Sequence, residues 1–136
     1  DVFDVIIAHP ERYVGFDHDL ELVDQWRSAG AFLQISYGSL VGRYGPEART
    51  LAFRLLRRGW ADYLSTDFHG RAHLKLYRHE VARKLVELEG DEQLSLLSVT
   101  NPQRVFRDED PLPVPPLLAH PTLWSRVREA LGLERD

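Results

Sequence analysis

The chain has 136 residues, 43% of them hydrophobic and 28% charged, so it is long enough for one domain with a real core and too apolar for wholesale disorder. A net charge of −4 offers no strong basic face for duplex nucleic acid, and no run approaches the ~20 apolar residues of a membrane span. Cysteine is absent, which removes disulfides, thiolate metal sites and every cysteine-nucleophile route to phosphate ester hydrolysis.

The N-terminus lacks a charged-then-apolar signal pattern, and the default expectation is a cytoplasmic location. Asp1-Val2-Phe3-Asp4 leads directly into an apolar run and reads as a cut inside a motif. Val2 to Ala8 predicts a buried parallel strand, which Pro10 stops. From Asp19 to Ala29 the positions Leu22, Val23, Trp26 and Ala29 recur at helical spacing, with Gly30 closing the helix. Ala31 to Ser36 predicts the next strand. Tyr37 to Gly45 then reads as a loop with three glycines, whose backbone can approach another group closely.

Pro46 suits the first position of a helix. Ala48, Leu51, Ala52, Leu55 and Leu56 form its apolar stripe, and Arg57-Arg58-Gly59 its end. Ala61 to Ser65 predicts a third strand. Strand, helix, strand, helix, strand is the order of right-handed parallel crossovers, which place all strand C-termini on one side of a sheet. In α/β folds that side is where sites are built.

Beyond it, Tyr77 to Leu88 predicts a helix ended by Gly90, Asp91 caps a shorter one, and Asn101-Pro102 starts another leading to Val105 and Phe106. Arg107 to Pro116, with an acidic run and four prolines, reads as a linker or extended arm. Pro121 to Leu131 returns to helical spacing, and the second Ala-His-Pro, at 119–121, reads as a capping context. Residues 1–106 are thus expected to form one unit and 107–136 an arm with a terminal helix.

The chemistry concentrates where two strands end: Ala8-His9-Pro10-Glu11-Arg12-Tyr13 and Ser65-Thr66-Asp67-Phe68-His69-Gly70. Asp67 and His69 are two apart, so in strand periodicity they share a side. With His9 they make a carboxylate and two imidazoles, a hard-to-borderline divalent metal set, and Arg12 is placed to meet an anionic substrate. Taken singly these residues have blander readings. His9 is a structural residue before proline, Asp67 a cap, His69 a partner of a backbone carbonyl, and Glu11 an ion-pair partner holding Arg12. Arg71, His73 and Lys75 form a solvated basic loop, and His18 and His79 lie on the surface. Tyr13, Tyr37 and Tyr44 pack the loop layer or line a pocket. Convergence at matching strand ends favours a site.

In the same order, Ala8-His9-Pro10-Glu11-Arg12-Tyr13, Leu33-Gln34-Ile35-Ser36-x-Gly38-Ser39-Leu40-x-Gly42-x-x-Gly45, Ser65-Thr66-Asp67-x-His69 and Asn101-Pro102 resemble the C-terminal half of the PHP-type bacterial protein-tyrosine phosphatases, the polymerase and histidinol phosphatase class. The resemblance runs from about Val5 to Phe106. It implies an α/β fold, part of a distorted (β/α) barrel, with divalent metals at the strand ends, usually manganese, with zinc, iron(II) or magnesium as other fits. His9, Asp67 and His69 match metal ligands. Arg12 matches the arginine that contacts the phosphate, and Arg71 or Lys75 is expected to substitute as a substrate contact for a family arginine that has no counterpart here.

The implied substrate is phosphotyrosine on a capsule or exopolysaccharide tyrosine kinase, hydrolysed by metal-activated water. Self-association is a further expectation. The alternatives are a small phosphate ester as substrate, or a non-catalytic remnant that binds a kinase. Family members supply a His-x-His strand and further ligands from their first half, and a family arginine has Leu74 in its place. Three ligands do not hold a metal cluster alone, so the chain is expected to be one part of an active site.

Overall fold

A computed structural model describes residues 3–13 and 20–118. The expectations for His18, for the second Ala-His-Pro and for the terminal helix lie outside those residues. Three strands, β1 (Ile6–Ala8), β2 (Phe32–Ser36) and β3 (Tyr63–Ser65), form a parallel sheet in the order β1-β2-β3. Ala8 faces Gln34, and Ser36 faces Ser65, so β2 and β3 end level with each other and β1 two residues behind.

Helices α1 (Glu21–Ser28) and α3 (Pro46–Arg58) lie between successive strands in the chain, as parallel pairing requires. The stripe of α3 packs as its spacing predicts, with Ala52, Leu55 and Leu56 at or near complete burial beside Leu33 and Ile35 of β2. Gly59 ends it in the left-handed region at φ 66°, which costs glycine nothing. In α1 the stripe is narrower. Val23 is buried, Leu22 and Ala29 face outward, and Leu20, just before the helix, takes the inner position instead.

Several elements differ from the sequence expectation. β1 is an edge strand, shorter than the predicted run, with Val5 and Ile6 exposed, because among the described residues only β2 lies beside it. The glycine-rich segment after β2 begins as a short helix, α2 (Tyr37–Leu40), all four residues of which are buried. From α4 (Arg78–Glu87) the chain turns into α5 (Asp91–Ser95), whose N-cap is Gly90, with Asp91 inside the helix.

The helical backbone then continues through a wide π turn, Leu96–Thr100, into α6 (Asn101–Val105). Asn101 is therefore no cap. It is fully buried, its Nδ2 donates to the carbonyls of Asp62 and Leu112, and its Oδ1 accepts from the Leu112 N–H. Val105 and Phe106, to which this helix leads, are exposed.

The proline-rich arm packs on the domain. Val114 and Leu117 join the core, the Leu117 N–H donates to the Leu56 carbonyl, and Gln93 reaches the carbonyls of Pro115 and Pro116. Among the described residues no helix is long and apolar enough to cross a membrane.

Candidate functional site

The turn that carries His9 and Arg12 is shaped by His9 itself, Pro10 and Glu11. After β1, His9 enters the left-handed region (φ 40°, ψ 54°) while its N–H still donates to the Gln34 carbonyl, so the chain leaves the sheet sharply at its C-terminal edge. Pro10 begins a single 3-10 turn, Pro10–Arg12, which aims Glu11 inward and Arg12 across the strand ends. Glu11 is buried, and its Oε1 accepts from the Ser36 N–H at 2.9 Å and from Ser39 Oγ at 2.6 Å. It thus ties this turn to the end of β2 and to α2, and does not pair with Arg12 as the sequence suggested. Burial pushes its carboxyl above the usual range, against the lowering effect of the hydrogen bonds from Ser39 and Ser36.

The second half of the site follows β3. The strand ends at Ser65, and Asp67, His69 and Gly70 all have positive φ, at 54°, 47° and 67°. Strand alternation is therefore not what puts Asp67 and His69 together. A tight irregular turn does so, with the Asp67 N–H donating to Ser65 Oγ. Left-handed backbone at two non-glycine residues stores strain of a kind that clusters at functional positions.

At the centre Asp67 is shared. Its Oδ2 accepts from Arg12 Nη1 at 3.1 Å, and its Oδ1 lies 2.6 Å from His69 Nε2. Desolvation works against the Asp67 charge, but the hydrogen bonds from Arg12 and His69 outweigh it and hold the carboxyl below the usual carboxylate range. Arg12 also lies over the Tyr44 ring, its Cζ 3.9 Å from the centroid, so a carboxylate and a π face both hold its fork.

The structure thus joins Asp67, His69 and Arg12, three of the residues singled out in the sequence. It does not gather His9 with Asp67 and His69: among the described residues no group of three His, Asp or Glu side chains could hold a metal ion. His9 stands on the Arg12 turn, with its ring 6.2 Å from that of Tyr13 and its Nδ1 buried without a hydrogen-bond partner. A buried imidazole nitrogen with nothing to bond is a costly arrangement that a cation would relieve. Asp67 and the exposed His69 offer a carboxylate and an imidazole, two donors of the kind a borderline divalent metal takes.

Arg71 is exposed on the loop after His69, as are His73 and Lys75. Lys75 is tied to Glu80 at 2.6 Å and lies over Tyr77. Sequence reasoning missed the aromatic support of Arg12. The only signal was Gly38, whose place a Cβ would take at 2.8 Å from the Tyr44 ring. A glycine required for close approach looks in sequence like any loop glycine.

The family model for capsular polysaccharide synthesis proteins, CpsB/CapC, matches residues 2–107. CapC of Staphylococcus aureus is 34% identical over 64 residues, which are 47% of this chain and 25% of that protein. The tyrosine-protein phosphatase YwqE of Bacillus subtilis (strain 168) is 26% identical over 111 residues, 82% of this chain and 43% of that protein. A solved structure from a study of YwqE and of CpsB from Streptococcus pneumoniae, described as metal-dependent tyrosine phosphatases, superposes with a TM-score of 0.73 at 25% identity. That match covers 86% of this chain and 47% of the other, so the chain spans less than half the length of these relatives.

Proposed function

Since the chain belongs to the CpsB/CapC family of capsular polysaccharide synthesis, we propose that it is the phosphate-clamping part of a metal-dependent protein-tyrosine phosphatase, acting on phosphotyrosine of a bacterial tyrosine kinase. The observation that carries this reading is Arg12 held between Asp67 and the Tyr44 ring at the strand ends. A guanidinium so fixed presents its remaining N–H groups in a plane, the geometry that binds two phosphate oxygens at once. The names of YwqE and CpsB support phosphotyrosine over a small phosphate ester.

Asp67 and His69 would each lend a donor to divalent metal, with manganese the proposed ion, and His9 would turn its unpartnered Nδ1 toward the same ion from the neighbouring turn, further ligands being needed to fill the shell. Bound cations supply acidity to water and positive charge against the phosphoryl oxygens. The chain's own residues do the rest. Arg12 would take up the phosphate, and its pairing with Asp67 holds the guanidinium ready at the strand ends until then. Glu11 holds the Arg12 turn against β2 so that the guanidinium does not follow the substrate out. Arg71 and Lys75 add positive charge at the rim, which raises the local concentration of an anionic peptide.

The test is hydrolysis of p-nitrophenyl phosphate and of a phosphotyrosine peptide by this chain combined with the N-terminal half of YwqE in manganese. Release of phosphate that is lost with chelator and with Arg12→Ala supports the reading. Release indifferent to both, or none at all, overturns it.

A further inference from the structure

Arg12 is not alone on Tyr44. Arg43 reaches the same ring, its Cζ 5.7 Å from the centroid, and lies 5.9 Å from the centroid of Tyr77 while Nη1 donates to the Tyr77 hydroxyl at 3.3 Å. Lys75 covers Tyr77 in turn. The result is an alternating series of cations and rings, Arg12, Tyr44, Arg43, Tyr77 and Lys75.

The three cations of this series are not equivalent. Arg12 is paired with Asp67 and Lys75 with Glu80, whereas among the described residues no carboxylate lies within ion-pair distance of Arg43. Its side chain is exposed, yet two tyrosines orient it. The backbone maintains the arrangement: the Arg43 N–H donates to the Gly38 carbonyl, and at Gly38 a Cβ would come 2.8 Å from Tyr44 and 3.2 Å from Arg43 Cδ. A side chain there would push both residues off α2.

An arginine that is preoriented, exposed and without a counter-charge is matched to an anion it does not itself possess. On the reading that Arg12 meets the phosphate, on which this step rests, we propose that Arg43 is a second anion-binding position, engaging a carboxylate or phosphate on a residue that flanks the phosphotyrosine in the same peptide. The tyrosine faces on either side cover the intervening peptide, and the position sets substrate preference while taking no part in bond breaking.

The experiment measures binding of fluorescein-labelled peptides to this chain in manganese buffer. Each peptide carries one phosphotyrosine, flanked by neutral residues, by glutamates, by a second phosphotyrosine or by lysines. The native chain is expected to bind the anion-flanked peptides about three- to tenfold more tightly than the neutral one, the range of an exposed to a well-formed charge-assisted pair. In Arg43→Gln that ratio falls to near one, and in Arg43→Glu the lysine-flanked peptide becomes the preferred one.

A greater preference for the second phosphotyrosine than for glutamate identifies phosphate as the natural anion, and the reverse identifies carboxylate. No preference in the native chain, or a preference that survives Arg43→Gln, overturns the second position while leaving phosphotyrosine binding in place. If no phosphopeptide binds better than its unphosphorylated form, the phosphotyrosine reading itself falls, and the second position with it.

Discussion

Arg12 and Asp67, 55 positions apart in the chain, meet at 3.1 Å across the C-terminal end of the sheet, each of them carried there by a turn that leaves the ladder in left-handed backbone. The pair places a fixed cation beside a carboxylate that stays ionised. Arg12→Ala is expected to weaken phosphotyrosine peptide binding about tenfold or more, and Arg12→Lys to recover only part, because an ammonium keeps the charge and loses the planar fork. Fluorescence anisotropy with a neutral-flanked phosphopeptide checks both.

Glu11 supports that turn from below. Removing its side chain in Glu11→Ala orphans the buried Ser36 N–H and the Ser39 hydroxyl, and the expected loss is about 2 kcal/mol of unfolding free energy in urea. Glu11→Gln keeps the accepting oxygen and is expected to cost less than half as much. Equal losses in the two variants would show that the carboxylate charge, and not the acceptor, holds the turn.

The arm is fastened at Gly59. An alanine there keeps the φ of 66° only with strain, and its Cβ would lie 2.6 Å from the Val114 carbonyl oxygen. Gly59→Ala is expected to destabilise by about 2 kcal/mol and to release the arm, so that trypsin cuts after Arg107 faster than in the native chain. Unchanged cleavage would mean that Val114 and Leu117 hold the arm without the glycine.

Asn101 makes the other fastening, with three hydrogen bonds to the backbone around Asp62 and Leu112 and no exposure. Asn101→Ala is expected to cost about 2–4 kcal/mol, more than a single bond, since it leaves several buried backbone groups without partners. Denaturant unfolding followed by tryptophan fluorescence reads the loss.

Tyr63 provides the pH test away from the site. Burial, with the nearby Asp62 charge, pushes its phenol from 10.0 up to about 12. Because the folded value is the higher one, the neutral phenol stabilises the fold fully below about pH 10, and that contribution declines as pH rises toward 12, reaching about 2–3 kcal/mol lost. Tyr63→Phe is expected to flatten this alkaline decline. A decline of the same slope in the variant assigns it to other groups.

The residues alone determined the order of strands and crossover helices, the inner face of α3, and the placing of Arg12, Asp67 and His69 at one end of a parallel sheet. Those features follow from local periodicity and from prolines and glycines that stop each element, signals a few residues long. Only the tertiary structure decided that Glu11 serves Ser36 and Ser39, that Asp67 divides its oxygens between Arg12 and His69, that Arg12 and Arg43 share the Tyr44 ring, and that the proline arm closes on the core. Each of these is a contact between segments distant in the chain, chosen by which side chain fills a space left by another. A lone glycine at position 38 or a buried carboxylate at position 11 looks the same in sequence whichever neighbour it serves.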